Sequence, residues 1–531
     1  MNTIKKTSQT ISESNSDSVT IVGVGASAGG LEAFKHFLEN LPIDTGLAYV
    51  LVQHLDPNHE SLSTDILSRS TKMPVTEAKD KMKIESNHVY MIPPGFCMGV
   101  SNSELKLHPR GDSHKHQRVI DFFLRELAED RKENAIGIVL SGTGNDGSEG
   151  LVAIKAAGGI TFAQSLTSAK FDEMPKNAIA TMAVDLILTP QEIANELANI
   201  AIKLPQEVVK AFDLDENEAV AGEHLNKIFL LLRNVCHVDF TYYKSNTILR
   251  RLARRMTLHR MESIEDYANY LLKNPEEVKA LYADILIHVT QFFRDPEAYE
   301  SLIRDIFPKL IENRPPGLPI RIWVPACSTG EEVYSLAIAF SEFLSDKAPN
   351  TAFQIFASDV SERAIQKARA GEYSENISQV VSSERMKRFF TKSDSGHYKV
   401  NKSIRDVCLF SRHDLTVDPP FAKIDLISCR NLLIYLTNVL QKHVMPLFHY
   451  SLVPKGYLWL GKSETVGGFT NLFSLIDKAN KTYARKDAPN KISLQFPAST
   501  YVPGNQHFAR KTPSFVKPTV DIPKIADLAL Q

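Results

Sequence analysis

The chain contains 531 residues, which is enough for two to four domains of ordinary size. Hydrophobic residues make up 43% of the sequence and charged residues 23%, a balance typical of globular proteins. Its 61 basic and 62 acidic side chains leave a formal charge of -1, which excludes the strongly basic balance of a protein whose main partner is nucleic acid.

The cysteines are scattered along the chain, and none stands in a C-x-x-C pair. This pattern argues against a disulfide scaffold or a structural metal site and favours a reducing compartment. The first residues lack the apolar core of a secretory signal, and no apolar run approaches the ~20 residues needed to span a bilayer. We therefore expect a cytoplasmic protein without membrane insertion. The cysteines are Cys97, Cys236, Cys327, Cys408 and Cys429.

The organisation of the chain follows from changes in its residue pattern. Alternating strand and helix patterns favour parallel sheets covered on both faces. We therefore predict an α/β fold with two doubly wound parallel-sheet domains joined by a small all-helical domain. The segments are a disordered arm (1–17), an α/β domain (18–205), a linker (206–221), a helical segment (222–288), a second α/β domain (289–488, interrupted at about 371–402) and a proline-rich tail (489–531).

The predicted elements follow this organisation in chain order. In the first α/β domain, strands are predicted at Val19–Val24, Ala48–Val52, Ala135–Leu140 and Gly159–Phe162, with helices at Leu31–Leu41, Arg118–Asp130 and Gly150–Ala157. In the second, strands are predicted at Ile320–Val324, Phe353–Ala357 and Asp425–Ser428, with a helix at Val333–Phe343.

The stretch GVGASAGG, from Gly23 to Gly30, follows the first predicted strand and opens a helix. It contains two overlapping patterns. One is G-x-G-x-x-A, a loose dinucleotide-binding fingerprint, and the other is G-x-S-x-G, in which Ser27 stands on a sharp turn above the sheet. Each pattern alone is weak, and a plain tight turn is the alternative to both.

Two later segments favour the serine. A dinucleotide site needs an acidic residue at the end of the second strand, whereas this strand delivers His54, which can act as a general base. The glycine-rich loop SGTGNDG presents Asp146, whose carboxylate can orient a histidine. We also expect the glycines of this loop to let backbone N–H groups face a developing oxyanion.

Four segments of the first domain resemble, in order, the catalytic domain of the chemotaxis receptor methylesterase CheB. They are VGVGASAGGLEAF, VQHLDPNH, IPPG and SGTGNDGSEGL, and the resemblance covers about residues 18–205. It implies that Ser27 is the nucleophile, His54 the base and Asp146 the orienting acid. The chain departs from the family pattern at Ala28, where Thr is usual, and at Thr143, where Met is common.

Several histidines invite a metal interpretation. His108, His114 and His116 fall in a segment containing Pro and Gly, and solvated loop histidines are the favoured interpretation there. Asp56 and His59 lie close to His54 in sequence. A metal site is favoured even less here than at the other histidines, since the Ser27, His54 and Asp146 set already accounts for His54. We therefore predict no metal site.

A second ligand-binding turn is predicted in the second α/β domain. The strand Ile320–Val324 is followed by PACSTGEE and a helix, and small residues at such a turn let a ligand approach the backbone. Glu331 and Glu332 would repel a phosphate and suit a cationic ligand better. Asp359, at the end of the next strand, can hold ribose hydroxyls. These residues alone leave a nucleotide-binding domain and a plain helix cap equally open.

The segments HVTQFFRD, PACSTGEEVYSLA, FASDVSERAIQKAR and ISCRNLLIYL resemble the chemotaxis receptor methyltransferase CheR. That family transfers methyl from S-adenosylmethionine to receptor glutamates, and the resemblance covers about residues 222–486. It implies a Rossmann-like domain with a small receptor-tethering β-subdomain at 371–402. The implied cofactor site is Thr290, Arg294, Glu332, Asp359, Asp414, Leu415, Arg430 and Asn431.

Other residues of the second domain depart from the family pattern or have alternative interpretations. His288 and Asp414 stand where the family has Asn. Arg294 could clamp an incoming carboxylate and Tyr435 could line its approach, the alternatives being a salt bridge and a core-edge aromatic residue. Ile248–Met261 places four arginines on one helical face: Arg250, Arg251, Arg254 and Arg255. That face is either solvated or a docking surface for an acidic helical partner.

Together the two resemblances imply a bifunctional chemotaxis enzyme. Its esterase half would hydrolyse glutamyl methyl esters, and could deamidate glutamines, while its transferase half would form those esters with S-adenosylmethionine. The implied partners are chemoreceptors or similar acidic helical signalling proteins, within a histidine kinase and response regulator pathway. A signalling scaffold with vestigial sites is the alternative, and a nicotinamide-dependent oxidoreductase is disfavoured because the second strand ends in His54.

Overall fold

The structure is a computed structural model of the chain. It describes residues 19–54, 63–110, 118–201, 223–286, 290–312, 317–393 and 396–487. The predicted arm (1–17), linker (206–221) and tail (489–531) lie outside the described residues. Within the described ranges, no helix combines the length and the apolar character needed to cross a membrane.

The described residues divide into two compact units. The first unit comprises the described residues within Met1–Asp213 and Arg250–Tyr267. The second comprises those within Leu214–Leu249 and Ala268–Gln531.

The first unit is built on a parallel sheet of seven strands in the order β10-β9-β8-β1-β2-β5-β3. A separate antiparallel sheet of three strands, in the order β4-β7-β6, was not predicted from the sequence. The strands are β1 Ile21–Ala26, β2 Ala48–Gln53, β3 Val75–Glu77, β4 Met82–Lys83, β5 His88–Met91, β6 Phe96–Ser101, β7 Glu104–Pro109, β8 Ala135–Val139, β9 Ile160–Gln164 and β10 Leu186–Leu188. The helices before residue 202 are Gly30–Glu39, Ser63–Ser68, Val119–Arg131, Ser148–Ala157, Glu173–Ala180 and Pro190–Ala201.

The central strand β1 is buried along its whole length, because helices cover both faces of the sheet. The helix Val119–Arg131 packs so closely that a Cβ on Gly23 would lie 2.7 Å from Leu124 Cδ2. Glycine in β1 therefore permits this close approach of helix to strand. The predicted doubly wound α/β architecture is confirmed for this unit.

The second unit contains a mixed sheet of seven strands in the order β16-β12-β11-β17-β18-β20-β19. Its first five strands are parallel as predicted, whereas β20 runs antiparallel to both β18 and β19. A tight turn joins β19 to β20, and antiparallel neighbours need no crossover helix. The strands are β11 Ile320–Pro325, β12 Phe353–Asp359, β13 Glu372–Tyr373, β14 Phe390–Lys392, β15 Tyr398–Val400, β16 Cys408–Arg412, β17 Ile424–Cys429, β18 Leu452–Leu460, β19 Phe473–Asp477 and β20 Thr482–Arg485.

The strands β13, β14 and β15 form a small antiparallel sheet in the order β13-β15-β14, within the segment where the sequence interrupts the α/β pattern. Residues 223–286 consist of helices and their connecting segments. The helices after residue 222 are Glu223–Cys236, Ser245–Leu258, Ile264–Lys273, Pro275–Ile285, Pro296–Asp305, Phe307–Ile311, Glu331–Lys347, Glu362–Ala370, Ser383–Phe389, Lys402–Arg405 and Asn438–Ser451.

The arginine-rich helix Ser245–Leu258 differs from both sequence interpretations. Arg251 and Arg254 are only 4% and 3% exposed, and both contact the first unit, to which this part of the helix belongs. Arg251 donates to the carbonyls of Lys155 and Ala156, which end the helix Ser148–Ala157. Terminal helix carbonyls lack partners within the helix, so a guanidinium satisfies them. These two arginines are therefore neither solvated nor free to dock a partner.

Arg254 completes this contact through a buried carboxylate. It forms an ion pair with Asp185, in which both side chains are 1% exposed, and its Nε donates to Gly159 O at 2.9 Å. Lys155 also contacts Asp185, at 3.1 Å. Burial by itself would raise the pKa of the Asp185 carboxyl, but the charges of Arg254 and Lys155 outweigh it and hold that pKa below its usual range.

Replacing Asp185 with Asn is expected to destabilise the first unit strongly. The substitution leaves a buried guanidinium without its carboxylate, a change that typically lowers the free energy of unfolding by about 3–5 kcal/mol. Because the pKa of Asp185 is depressed in the folded chain, its contribution is present above the unfolded value of about 3.9 and is lost as the pH falls through the folded value. Urea unfolding at neutral and acidic pH measures both effects.

Glu196→Gln is the matched control for this experiment. Glu196 pairs with Arg260, whose side chain is 55% exposed, so its loss should change the free energy of unfolding by less than about 1 kcal/mol. If Asp185→Asn is no more destabilising than Glu196→Gln, the buried ion pair does not have the importance assigned to it.

Candidate functional site

The first candidate site lies where strands of the first unit end. Ser27 follows β1 directly, and its backbone N–H donates to Ser141 O at 3.0 Å. Its own carbonyl accepts from Gly30 N at 2.8 Å, which closes the turn into the helix Gly30–Glu39. Gly29 has a φ of 71°, a left-handed conformation that glycine adopts without steric cost. The turn is therefore the sharp strand-to-helix turn that the sequence predicts.

Strand register places His54 beside Ser27. Parallel pairing matches Ala26 with Gln53, so Ser27 and His54 are the next residues on two neighbouring strands. Gln53 Nε2 donates to Ser27 O at 3.3 Å, and the His54 side chain is 34% exposed. Within the described residues, no hydrogen bond joins the Ser27 hydroxyl to the His54 ring. The two residues therefore follow paired positions of neighbouring strands, and the His54 side chain is partly exposed.

Asp146 completes this set from a third segment. Its Oδ2 lies 2.7 Å from His54 Nε2, and the same carboxylate accepts three backbone N–H groups. Two of these donors open the helix Val119–Arg131, Ile120 at 3.0 Å and Asp121 at 2.8 Å, and the third is Gly147 at 2.9 Å. All three donors use the Asp146 carboxylate as their acceptor, and this fixes its position beside His54. The carboxylate can then accept the Nε2 proton, which leaves Nδ1 as the basic nitrogen.

A buried polar layer behind Asp146 was missed by the sequence analysis. Asp121 is 1% exposed, accepts from Gly150 N at 2.7 Å and pairs with Arg118 at 3.0 Å. Burial, and then the charge of Asp146, raises the pKa of Asp121. Arg118 also donates to the side chain of Asn145, the residue before Asp146. This layer ties the loop that carries the orienting acid to the helix behind it.

Three glycine amides of the SGTGNDG loop are already bonded and are not available to an oxyanion. Gly142 N donates to Phe171 O at 3.0 Å, and Gly144 N donates to Glu173 Oε2 at 2.8 Å. Gly147 N is already bonded to Asp146. The expectation is wrong for these three glycines, because neighbouring segments satisfy their N–H groups.

The histidine segments give no metal centre in the described part of the chain. His108 lies in β7 rather than in a loop, and its ring packs edge-on against Phe122 at 5.7 Å. Asp56, His59, His114 and His116 lie outside the described residues. In the ranges that are described, no group of three or more His, Cys, Asp or Glu could hold a metal ion.

The second candidate site is a cavity in the second unit. The loops after β11, β12, β16 and β17 form much of its wall, at the carboxyl ends of four neighbouring strands. Open α/β sheets bind their ligands at this edge. The structure brings all the predicted cofactor and substrate residues of this unit to the one cavity: Thr290, Arg294, Glu332, Asp359, Asp414, Leu415, Arg430, Asn431 and Tyr435. His288 lies outside the described residues.

Charged groups on the cavity wall are held in fixed positions. Glu332 accepts from Ser428 Oγ at 2.6 Å and faces Arg430 at 3.5 Å. Arg430 also pairs with Asp295 at 2.6 Å and stacks over Trp459, with its guanidinium carbon 4.4 Å from the ring centroid. Burial raises the pKa of Glu332 although the charge of Arg430 opposes that shift. The wall therefore combines a largely buried acid, whose side chain is 14% exposed, with a rigid guanidinium.

Asp359 stands at the end of β12 and is held by backbone amides. Its Oδ2 accepts from Ser328 N and its Oδ1 from Ser361 N, both at 2.9 Å. The turn after β11 approaches it closely, with left-handed backbone at Ala326 (φ 53°) and Ser328 (φ 51°). These bonds fix the carboxylate in the cavity wall.

Two buried acceptors on the wall lack a partner among the described residues. Asp414 Oδ1 accepts from Thr416 N at 2.8 Å, but its Oδ2 is buried without a hydrogen bond. His413 Nε2 contacts Pro419 O at 3.0 Å, so Nε2 carries the proton and the buried Nδ1 is an unpaired acceptor. Unpaired buried acceptors are costly, and both of these belong to residues that line the cavity.

The helical region supplies lining residues that the sequence analysis missed. They lie far from the strand loops in sequence, and no pattern at those positions marks them as ligand contacts. Burial, and then the charges of Asp414 and Asp359, raises the pKa of Tyr243, so its hydroxyl remains a donor. The missed lining residues of this region are Tyr243, Thr247, Ile248, Ile285 and Leu286.

Comparison with known families gives matches to both halves. Residues 22–197 match the CheB methylesterase model. Residues 223–286 match the CheR methyltransferase all-alpha domain, and residues 288–482 match the CheR methyltransferase SAM binding domain. The models occur in the order that the sequence resemblances predict.

Individual relatives agree with these matches. An uncharacterized 104.1 kDa protein of Rhodobacter capsulatus is 33% identical over 436 residues, which cover 79% of this chain and 46% of that protein. This chain thus spans about half the length of that relative. A chemotaxis protein methyltransferase of Listeria innocua is 31% identical over 43% of this chain and 85% of its own length. A protein-glutamate methylesterase/protein-glutamine glutaminase of Escherichia coli is 30% identical over 33% of this chain and 52% of that protein.

Proposed function

Because the chain belongs to the chemotaxis protein methyltransferase family and carries a CheB methylesterase domain ahead of that part, we propose that it both forms and hydrolyses glutamyl methyl esters of chemoreceptors. The observation that carries the proposal is the presence of two separate sites. A His–Asp pair beside a serine lies in one unit, and a cavity with an acidic and basic wall lies in the other.

In the proposed hydrolysis, Ser27 is the nucleophile. Its oxygen attacks the ester carbonyl while His54 Nδ1 takes the hydroxyl proton, and methanol leaves with that proton to give an acyl-enzyme. Water then attacks the acyl group, again with His54 as the base, and releases the glutamate. Asp146 holds the ring orientation and stabilises the imidazolium. The backbone N–H of Ala28, directly after the nucleophile, is the proposed oxyanion donor.

The same acyl-enzyme would also serve glutamine deamidation, with ammonia as the leaving group in place of methanol. The Escherichia coli relative carries both activities in its name, which supports this extension.

Ser27→Ala is expected to abolish ester hydrolysis and leave methyl transfer unchanged, because it removes the attacking oxygen from one site only. Release of labelled methanol from a methylated receptor fragment measures the first activity, and incorporation of label into that fragment measures the second. Ser101→Ala, at the end of β6, is the control and should retain both. Loss of both activities in Ser27→Ala would contradict the separation of the two sites.

The proposed methyl transfer takes place at the cavity of the second unit. S-adenosylmethionine, when bound, supplies an electrophilic methyl group on a positively charged sulfur. Asp359 would hold the ribose hydroxyls, and the unpaired acceptors of His413 and Asp414 would receive the amino group of adenine. The largely buried acid Glu332 and the other acidic groups of the wall suit a cationic ligand.

The receptor glutamate needs no general base. Its pKa of about 4.3 leaves it almost fully ionised at neutral pH, so positioning is the main task of the protein. Arg294 is the proposed clamp for this carboxylate, and Tyr435 lines its approach, since both side chains line the cavity.

Arg294→Ala is expected to reduce methyl transfer at least about a hundredfold while ester hydrolysis is unchanged, because in-line placement of the carboxylate is lost. Arg369→Ala, an exposed arginine of the same unit with side-chain exposure of 51%, is the control and should keep full activity. Initial rates of label transfer to the receptor fragment measure the effect. Equal rates for Arg294→Ala and the wild-type protein would contradict the proposed clamp.

Asp414→Asn tests the proposed adenine contact. The wild-type protein should bind S-adenosylhomocysteine at least about a hundredfold more tightly than S-inosylhomocysteine, whose carbonyl would face two acceptors. The Asn amide can donate to that carbonyl, so the preference should fall about tenfold or more in Asp414→Asn. Isothermal titration measures both affinities, with the exposed Asp406→Asn as the control. An unchanged preference in Asp414→Asn would contradict the contact.

A further inference from the structure

Glu464 is a buried carboxylate that neither the family resemblance nor the cavity wall accounts for. It is 3% exposed and lies in the loop after β18. Its Oε2 accepts from Gly461 N at 2.7 Å and from Asn431 N at 2.9 Å. Its Oε1 accepts from Leu433 N at 2.7 Å. One side chain therefore bonds the backbones of two loops that follow neighbouring strands, β17 and β18.

The backbone that Glu464 holds carries the predicted ligand contacts. Asn431 has a φ of 61°, a left-handed conformation that is costly for a residue with a side chain. The bonds from Asn431 N and Leu433 N to Glu464 hold the backbone at this residue and two positions further on. Asn431, Leu432 and Tyr435 line the cavity, whereas Glu464 is not among the lining residues.

The fit around the carboxylate is tight. A Cβ on Gly461 would lie 2.8 Å from Glu464 Oε2 and 3.1 Å from Asn431 N, so only glycine leaves room for this bond. The chemistry is equally restrictive, because three N–H donors point at two oxygens. A glutamine would place an NH₂ donor against at least one of them. The site therefore requires a carboxylate at position 464 and glycine at position 461.

We infer that Glu464 is a positioning residue of the cofactor cavity: it holds the backbone of Asn431 in the conformation that presents the Asn431 side chain to the bound ligand. The inference rests on the proposed function of this cavity. Glu464 acts through the backbone of Asn431, so its effect on ligand affinity should depend on the Asn431 side chain.

The test is a double-mutant cycle on the full chain, read as the Kd of S-adenosylhomocysteine by isothermal titration. Glu464→Gln should raise the Kd about tenfold, because it breaks a charge-assisted bond to the loop. In an Asn431→Ala background the same substitution should raise the Kd less than about threefold, since the side chain that Glu464 positions is gone. Equal effects in both backgrounds would overturn the inference.

A control variant, a substitute variant and the wild-type protein separate the possible outcomes of this test. Glu342→Gln, which removes an acid paired with Arg385 in the same unit but away from the cavity, should leave the Kd unchanged. If Glu464→Gln does not fold, Gly461→Ala replaces it: the carboxylate stays but is displaced, and an unchanged Kd would overturn the inference. If the wild-type protein itself shows no binding, it is the proposed function of the cavity that fails.

Discussion

Buried carboxylates that accept backbone N–H groups are the interaction on which both sites depend. Asp146 receives three such bonds, Asp359 two and Glu464 three, each at a loop after a strand of a parallel sheet. Loops at this edge have no sheet partners for their amides, so a fixed carboxylate can both satisfy the backbone and set its shape. In Asp146 the same charge also orients His54.

The fixed carboxylates serve different chemistry in the two sites. In the first site, the bond to Asp146 occupies His54 Nε2 and leaves Nδ1 as the basic nitrogen. This arrangement suits proton transfer to and from a serine. Around the cavity, backbone amides fix Asp359, whereas side chains hold the guanidinium of Arg430, and fixed charges of both signs suit the placement of two charged reactants. The two proposed reactions thus share no residue of the chain.

Charge patterning was a poor guide to what the arginine-rich helix does. Four arginines on one face suggest solvent or an acidic partner, yet Arg251 and Arg254 are used inside the first unit. Their partners are helix-terminal carbonyls and the carboxylate of Asp185, none of which is close to the helix in sequence. Helical periodicity gives the face on which an arginine lies, but not the surface that covers it.

Resemblance to the two families supplied the predicted site residues, such as Arg294 and Arg430, but not Tyr243 or the other lining residues of the helical region. The sequence by itself determined the two α/β halves and the helical region between them. Local patterns suffice for this, because strand and helix periodicities and glycine-rich turns are encoded within short segments. The tertiary structure alone decided which groups are already bonded: Gly142 and Gly144 N–H to their neighbours, Asp121 beneath Asp146, Tyr243 in the cavity wall and Glu464 behind Asn431. Such pairings depend on how distant segments pack and on the need to satisfy buried polar groups, and neither leaves a periodic trace in the chain.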